Sequence, residues 1–255
     1  MLKIRLIPVL LLKDGRMVKP IRFGAGGERD VGDPKTTARI YDSQDADELL
    51  FLDIEASGEG RAFLSETLKE VAKNCFVPLT AGGGVRSLED FSLLLRSGAD
   101  KVSINTGAVE KPSLINEAAE RFGNQCVVVS IDYKSGSGGK NKVFIRRGRE
   151  ETALEPVAWA VEAAKRGAGE ILLTSIEREG TMTGYDLETA REVSRVVSIP
   201  VIINGGAGSR ADFVSAAKEA GVGAVAASSV FHFSDSNLTQ VKSFMLNAGL
   251  PMRPL

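Results

Sequence analysis

The stretch Val77-Pro-Leu-Thr-Ala-Gly-Gly-Gly84 decides the fold, because it returns as Ile199-Pro-Val-Ile-Ile-Asn-Gly-Gly206 in the second half of the chain. A second stretch, Ala46-Asp-Glu-Leu-Leu-Phe51, returns after the same number of residues as Ala168-Gly-Glu-Ile-Leu-Leu173. A repeated unit of several strands predicts two fused half-barrels, each with a glycine turn just after an apolar strand. Two such turns in one barrel predict a ligand that carries two phosphates.

Length and charge limit the class of protein. The 255 residues include 32 Lys and Arg against 33 Asp and Glu, which gives a net charge of −1. This balance argues against recruitment of nucleic acid or of an anionic membrane by excess charge. The early apolar run contains Arg5 and is too short for a signal peptide or a membrane span, so we expect a cytoplasmic protein. The length is typical of one (β/α)8 barrel, and we predict a single domain over residues 1–255.

Cysteine and histidine usage argues against a metal or cofactor site. Cys75 and Cys126 lack the spacing of metal ligands, and His232 is the only histidine in the sequence. This largely excludes a histidine-based zinc site and a Ser-His-Asp triad. We therefore predict neither a metal nor a cofactor.

Short apolar runs rich in β-branched residues alternate with amphipathic stretches, as in βα units around a buried parallel sheet. The predicted strands lie near residues 4–12, 48–54, 77–81, 100–104, 126–131, 170–175, 200–203 and 223–227. The predicted helices lie near residues 34–44, 60–74, 88–97, 112–122, 155–166, 187–197, 209–219 and 236–248. Eight of each predict a closed α/β barrel of the (β/α)8 TIM type, since an open doubly wound sheet more often has about five or six strands. Residues 13–33 and 133–153 are too long for simple βα connections, and both follow strands whose ends form the catalytic face of this fold.

Small residues recur at corresponding strand ends in the two halves. Gly82-Gly-Gly84 and Gly205-Gly-Ala-Gly208 would let backbone N–H groups approach an anion closely. Asn105-Thr106 and Ser228-Ser229 end the next strand of each half and can donate to the same anions. The glycines could instead serve only as tight turns, but their recurrence favours two phosphate sites.

Acidic side chains are expected at the same end of the barrel. Asp132 ends the fifth predicted strand, Asp53 ends the second, and Glu177 and Glu179 follow the sixth. Carboxylates there can act as general acids or bases, or they can be hydrated rim residues. Residues 6–12 of the first strand contain no acid, so its half of the repeat lacks a counterpart of Asp132.

Charged residues also begin four of the predicted strands, at the end of the barrel that we call the floor. Arg5, Glu48, Lys101 and Glu170 begin strands one, two, four and six. If they point inward, two cations and two anions meet there, and partial burial requires them to pair. The group could be a structural plug, or a gate between the barrel interior and something docked beneath it.

Together these residues resemble the cyclase subunit family of imidazole glycerol phosphate synthase over nearly the whole chain. The resemblance rests on Lys13-Asp-Gly-Arg16, Arg29-Asp-Val-Gly-Asp-Pro34, Phe51-Leu-Asp-Ile54, Gly82-Gly-Gly84, Gly98-Ala-Asp-Lys-Val-Ser-Ile-Asn105, Gly169-Glu-Ile-Leu-Leu-Thr-Ser-Ile176, Gly205-Gly-Ala-Gly208 and Ser229-Val-Phe-His-Phe233. It implies a barrel that docks a separate glutaminase under its floor and receives ammonia through its core. At the opposite end, the top, such a barrel adds the ammonia to a bis-phosphate ribosyl substrate.

The resemblance also implies roles for individual residues. Asp132 matches one of two catalytic aspartates, and Asp100 matches a position at the glutaminase interface, although a solvated loop acid is equally compatible with its place in the sequence. The family's charged ammonia gate is matched by Arg5, Glu48, Lys101 and Glu170. One phosphate site is matched by Gly84, Asn105 and Thr106, and the other approximately by Gly180, Gly206, Ser228 and Ser229.

The top of the barrel departs from the family while the floor keeps its pattern. Leu11 stands where the second catalytic aspartate should be, and leucine cannot transfer a proton. Further departures at the top are Glu177 and Glu179 for aspartates, the longer loop with Gly24-Ala-Gly-Gly27, the added cations Arg146-Arg147, and Asn204 for a common serine. We therefore expect a divergent paralogue that accepts ammonia from a glutaminase without forming the imidazole ring. For such a paralogue the resemblance implies a role in amidination of a sugar for bacterial surface polysaccharides such as O-antigen, by a separate amidotransferase.

Two other functions stay open. A genuine cyclase-lyase of histidine biosynthesis is favoured by the two phosphate sites and by Asp132, and opposed by Leu11. The second is the sister sugar isomerase, which the resemblance implies to have the same two-phosphate barrel and to need no partner. Its mechanism is also expected to use a pair of acids, one of them on the first strand, so Leu11 counts against it too. The four charges at the floor favour the ammonia-handling proteins over this isomerase.

Overall fold

The computed structural model describes residues 3–61, 63 and 65–254. Eight strands in this part of the chain are parallel, and each pairs with the next until the last pairs with the first. These barrel strands are β1 (Arg5–Lys13), β4 (Leu49–Asp53), β5 (Leu79–Gly82), β6 (Lys101–Ile104), β7 (Val127–Ser135), β10 (Glu170–Ser175), β11 (Val201–Asn204) and β12 (Ala224–Ala227). The predicted (β/α)8 barrel is confirmed, and every barrel strand begins within two residues of its prediction.

Helices surround the barrel. The eight predicted ones correspond to α1 (Pro34–Ser43), α3 (Ser65–Ala72), α4 (Leu88–Arg96), α6 (Ser113–Phe122), α7 (Pro156–Lys165), α8 (Leu187–Val196), α9 (Arg210–Glu219) and α11 (Leu238–Asn247). The predicted helix over 60–74 includes residues 62 and 64, which lie outside the described residues. Three short helices that the sequence did not predict are α2 (Ala56–Glu59), α5 (Thr106–Glu110) and α10 (Ser229–Phe233). Among the described residues, no helix combines the length and the apolar character needed to cross a lipid bilayer.

Capping side chains fix where several of the long helices begin. Ser87 Oγ accepts a hydrogen bond from Asp90 N at 3.2 Å, and Asp90 Oδ2 accepts one from Ser87 N at 3.1 Å. Asp186 Oδ1 accepts from Thr189 N at 3.3 Å. A cap of this kind typically stabilises a helix by about 1 kcal/mol, because it satisfies a backbone donor that has no partner within the helix.

The inside of the barrel is a packed apolar column. Its members come from six of the eight strands and are 7% exposed or less: Ile7, Val9, Leu11, Leu50, Val128, Leu172, Ile202, Ala224 and Ala226. A second, larger core lies between the strands and the surrounding helices. The apolar column therefore separates the charged floor from the top, where the strands reach their C-terminal ends.

Two antiparallel hairpins cover the top of the barrel. The first contains β2 (Arg16–Pro20) and β3 (Glu28–Gly32), and β2 pairs with the end of β1. The second contains β8 (Asn141–Ile145) and β9 (Glu150–Glu151), and β8 pairs with the end of β7. We call them the first and second roof hairpins. They occupy the two segments that the sequence predicts to be long loops, so their position is as expected but their strand structure is not.

Candidate functional site

A cavity opens at the top of the barrel, where sites of this fold are normally built. Its volume is about 840 Å³ when the open mouth is included. Residues from both roof hairpins and from seven barrel strands or the turns that follow them line it. The predicted site residues that line it are Gly84, Asn105, Thr106, Asp132 and, at the position of the missing acid, Leu11.

The first predicted phosphate site lies on the wall of this cavity. Gly84 has φ +70°, and a Cβ there would lie 2.3 Å from Arg61 O, so only glycine fits this turn. Thr106 Oγ1 accepts hydrogen bonds from Ser57 Oγ at 3.1 Å and from Arg146 N at 3.0 Å. Asn105 Nδ2 donates to Ser130 O at 3.1 Å. The structure brings Gly84, Asn105 and Thr106 together, and their role in binding phosphate stays a prediction.

The second predicted phosphate site is placed differently, since its residues do not line the cavity. The chain of the first roof hairpin passes over Gly180, where a Cβ would lie 2.8 Å from Pro20 O. Gly206 has φ +113°, and a Cβ there would lie 2.2 Å from Gly184 O, which matches the tight surroundings of Gly84 in the first half. Ser228 and Ser229 are buried, and Ser229 Oγ has no hydrogen-bond partner among the described residues. These residues are therefore buried or closely covered, and their role in binding phosphate stays a prediction.

Asp132 lies in the cavity wall and is the predicted catalytic acid. Burial raises the pKa of its carboxyl to about 7, an effect that hydrogen bonds from Ser130 and Thr174 oppose and that the nearby negative charge of Glu179 reinforces. Its protonation therefore changes near neutral pH, as suits a group that takes and returns a proton.

Leu11 lies across the barrel from Asp132. Three strands separate β1 from β7 in either direction around the barrel, which puts the two on opposite sides. The Leu11 side chain belongs to the apolar column and is 7% exposed. Position 11 therefore contributes hydrocarbon to the cavity where a second acid would face Asp132.

The other acids expected at the top are already paired or lie outside the cavity. Asp53 accepts two hydrogen bonds from Arg61, at 2.6 and 3.1 Å. Glu179 forms a buried ion pair with Lys19 of the first roof hairpin. It follows β10, which is the neighbour of β7, so its carboxylate does not replace the acid missing opposite Asp132. Glu177 is exposed, as expected for a rim residue.

The four charged residues at the floor form a closed ring, which we call the floor ring. Arg5 bonds Glu48 at 2.6 Å and Glu170 at 3.0 Å, and Lys101 bonds the same two carboxylates at 2.8 and 3.2 Å. Thr80 Oγ1 donates a further bond to Glu48 at 2.6 Å. Burial works against the charge of Arg5, but the two carboxylates outweigh it and raise the pKa of Arg5 above its ordinary value. The ring therefore closes the floor end of the apolar column, and its role as an ammonia gate stays a prediction.

Asp100, the predicted partner contact, is exposed next to the floor ring. Its Oδ2 accepts a hydrogen bond from Leu79 N at 2.8 Å, so its carboxylate also holds the start of β5. The position suits a contact with a protein docked under the floor, and that contact stays a prediction.

Comparison with known proteins identifies the family of this chain. The family model described as "Histidine biosynthesis protein" matches residues 5–237. The chain belongs to this family.

Individual members of the histidine biosynthesis protein family match over their full length. A protein from Hyphomonas neptunium is 52% identical over 253 residues, which cover 99% of each chain. A protein from Caulobacter vibrioides is 48% identical over 254 residues, which cover 99% of this chain and 97% of the relative. A protein from Alkaliphilus metalliredigens is 47% identical over 249 residues, which cover 98% of each chain. All three are named imidazole glycerol phosphate synthase subunit HisF. The resemblance to this synthase subunit is thereby confirmed.

Two cations of the site were not identified from the sequence of this family member. Lys19 is buried because it pairs with Glu179, which is 160 residues away along the chain. Arg147 lines the cavity and pairs with Glu28 and Glu55 of other segments. The sequence showed Arg146-Arg147 only as added charge, since nothing local indicates which of the two turns inward.

Proposed function

We propose that this chain is the ammonia-accepting subunit of a glutamine amidotransferase complex of the imidazole glycerol phosphate synthase type. The observation that carries the proposal is the floor ring, which closes one end of an apolar column that has Asp132 at the other end. A barrel that only binds a phosphorylated sugar has no need for four interlocked charges at the end remote from its site. The word "subunit" in the relatives' names supports assembly with a partner. The partner we propose is a glutaminase docked under the floor.

The column selects for neutral ammonia. Ile7, Leu50 and Leu172 offer no hydrogen-bond acceptors, so an ammonium ion would lose its hydration without compensation. Ammonia is uncharged and small, and its desolvation costs far less. The floor ring would admit ammonia when one of its ion pairs opens. A glutaminase docked beneath the ring would keep the ammonia from escaping to water, where it would become protonated.

Of the three carboxyls that line the cavity among the described residues, Asp53 and Glu179 are held in ion pairs, so we assign proton transfer at the top to Asp132. The two-acid mechanism that the resemblance implies needs a partner at position 11, and Leu11 removes it. General acid or base groups typically contribute roughly 10²–10⁴-fold to a rate. We therefore propose that ring closure to an imidazole is slower by a factor of this order, and that ammonia delivery is retained.

The acceptor of the ammonia follows from this difference. Our first candidate is a sugar of a bacterial surface polysaccharide, amidinated by a separate amidotransferase that uses the ammonia released at the top. Leu11 supports this candidate, because a barrel that only delivers ammonia does not need a second catalytic acid.

The second candidate is imidazole glycerol phosphate synthesis itself. The names of the relatives support it more directly than the first, and so do Asp132 and the first phosphate site on the wall of the cavity. Under this candidate Asp132 performs both proton transfers, with water or the substrate in place of the missing acid.

One assay separates the two candidates. The purified chain is given ammonium salts and the bis-phosphate ribosyl substrate, and formation of imidazole glycerol phosphate is followed beside the Hyphomonas neptunium relative. The first candidate predicts a rate at least 10²-fold below that of the relative. A comparable rate would establish the cyclase and eliminate ammonia delivery as the sole role.

A further inference from the structure

The turn of the second roof hairpin has an unusual backbone. Arg146, Arg147 and Gly148 have φ values of +50°, +62° and +70°. Hairpin turns with such values normally use Asn, Asp or Gly, because a larger side chain is strained there. Two arginines in succession are thus held in a conformation that they disfavour, which points to a use for at least one of their side chains.

Arg147 turns inward from this strained position. Its guanidinium pairs with Glu55, which follows β4, and with Glu28 of the first roof hairpin at 3.0 Å. The side chain is only 11% exposed, and its Nε has no hydrogen-bond partner among the described residues. A buried donor without a partner costs free energy, and a ligand oxygen would remove that cost.

The position of Arg147 suits an anionic ligand. It lines the cavity, and the backbone N of the preceding residue donates to Thr106 Oγ1 at 3.0 Å, so the turn rests on the first phosphate site. The other ionisable groups among the described residues that line the cavity are carboxyls, namely Asp53, Asp132 and Glu179. Asp53 is paired with Arg61 and Glu179 with Lys19, so the cations of those pairs are already engaged. Among the described residues that line the cavity, Arg147 is the cation placed to pair with a phosphate dianion.

We propose that Arg147 binds the phosphate group of a sugar phosphate held at Gly84, Asn105 and Thr106, and releases Glu28 or Glu55 when it does so. The inference rests on the proposed function, in that it takes the first phosphate site as real and adds to it the residue that sets its charge. A planar guanidinium suits this role, because it can present two parallel N–H groups to a phosphate.

Arg147 can leave Glu28 or Glu55 for a phosphate because Lys13 lies close to both carboxylates. Lys13 Nζ lies 2.8 Å from Glu28 Oε1 and 3.6 Å from Glu55 Oε1, so both carboxylates keep a counter-ion when Arg147 leaves them. Glu28 is also 25% exposed and can regain water. The two carboxylates thus hold Arg147 in place before the ligand arrives and compete with the ligand for it.

The test measures binding of ribose 5-phosphate, inorganic phosphate and unphosphorylated ribose by isothermal titration calorimetry. Arg147→Met should weaken ribose 5-phosphate binding about tenfold or more, since it removes a charge-assisted hydrogen bond. Glu28→Gln should strengthen binding severalfold, because it removes a competitor for the guanidinium. Arg146→Met is the matched control: its side chain pairs with Glu110 on the outside, and affinity should stay within about twofold.

Two further variants locate the binding and protect the test against misfolding. Thr106→Val should weaken binding if the phosphate lies at the first site. Arg147→Lys keeps the charge without the planar fork and should give an affinity between those of the wild type and Arg147→Met. Near-ultraviolet circular dichroism and hydrogen exchange over residues 13–33 report whether the first roof hairpin stays in place in each variant.

The possible failures are distinguishable. If Thr106→Val weakens binding and Arg147→Met does not, the phosphate site stands and the role of Arg147 is refuted. If Arg147→Met and Glu28→Gln weaken binding alike and both loosen the first roof hairpin, Arg147 is only a structural tie and the inference is wrong. If the wild type binds no phosphorylated probe, the inference falls together with the phosphate part of the proposed function, while the floor ring is unaffected.

Discussion

Replacement of Glu48 by glutamine should reveal how strongly the floor ring is held together. Glu48 is about 2% exposed and accepts bonds from Arg5 at 2.6 Å, from Lys101 at 2.8 Å and from Thr80 at 2.6 Å. The glutamine keeps the shape and one acceptor but removes the charge, so Arg5 and Lys101 share one remaining carboxylate. Breaking a buried ion pair typically costs about 3–5 kcal/mol. Since Glu170 still neutralises part of the charge, we expect a loss of about 3 kcal/mol in the free energy of unfolding.

Glu170→Gln is the matched comparison. Glu170 is 12% exposed and its ion-pair contacts are longer, at 3.0 and 3.2 Å, so its replacement should cost only about 1 kcal/mol. Urea denaturation followed by circular dichroism measures both losses. A double-mutant cycle with Lys101→Met should show a coupling to Glu48→Gln of at least about 1 kcal/mol, because removal of the extra cation relieves the charge imbalance.

Either of two results would refute this reasoning. A Glu48→Gln protein within about 0.5 kcal/mol of the wild type would mean that the ring is hydrated and contributes as little as surface ion pairs do. A greater loss for Glu170→Gln than for Glu48→Gln would mean that burial and contact length do not set the energies of this ring.

Three further predictions concern other parts of the chain. Because burial raises the pKa of Asp132 to about 7, the unfolded state ionises first as pH rises from about 4, and the free energy of unfolding falls until about pH 7. Asp132→Asn should therefore gain at most about 4 kcal/mol in the free energy of unfolding at pH 8 and nothing at pH 4. Equal gains at both pH values would contradict the burial of this carboxyl. Burial, together with the charge of Lys19, lowers the pKa of His232 to about 4. The C2–H resonance of this histidine should therefore stay constant down to about pH 5 in an NMR titration. A titration midpoint between pH 6 and 7 would show an exposed ring. Asp100→Lys should weaken the complex with a glutaminase, as measured by analytical ultracentrifugation. Asp100→Asn is the control variant, because it keeps an acceptor for Leu79 N. Unchanged affinity in Asp100→Lys would place the docking face elsewhere.

The barrel and its floor were predictable because their signals are local and repeated. The glycine turns near Gly84 and Gly206 follow apolar strands in both halves. Three of the ring residues are the first residues of their strands, and Glu48 comes directly before its strand. A closed barrel brings such strand starts together, so the position of Arg5 or Glu170 in the sequence suffices to predict their meeting.

The roof was not predictable because its contacts join distant segments. Lys19 lies in a mostly buried strand of the first roof hairpin, and its burial depends on Glu179, which the sequence alone does not bring near it. Arg147 likewise depends on Glu28 and Glu55. The sequence therefore predicts Gly180 as part of a second phosphate site, but it does not predict that the first roof hairpin passes over this glycine.

The consequence of Leu11 is tested most directly by comparing the wild type with Leu11→Asp in the formation of imidazole glycerol phosphate from ammonium salts and the bis-phosphate ribosyl substrate. Leu11 faces the cavity from the side opposite Asp132, so an aspartate there restores the second acid. We expect Leu11→Asp to be at least about 10²-fold faster than the wild type. A wild type that already turns over as fast as Leu11→Asp would contradict it, since the missing acid would then have no consequence for the reaction.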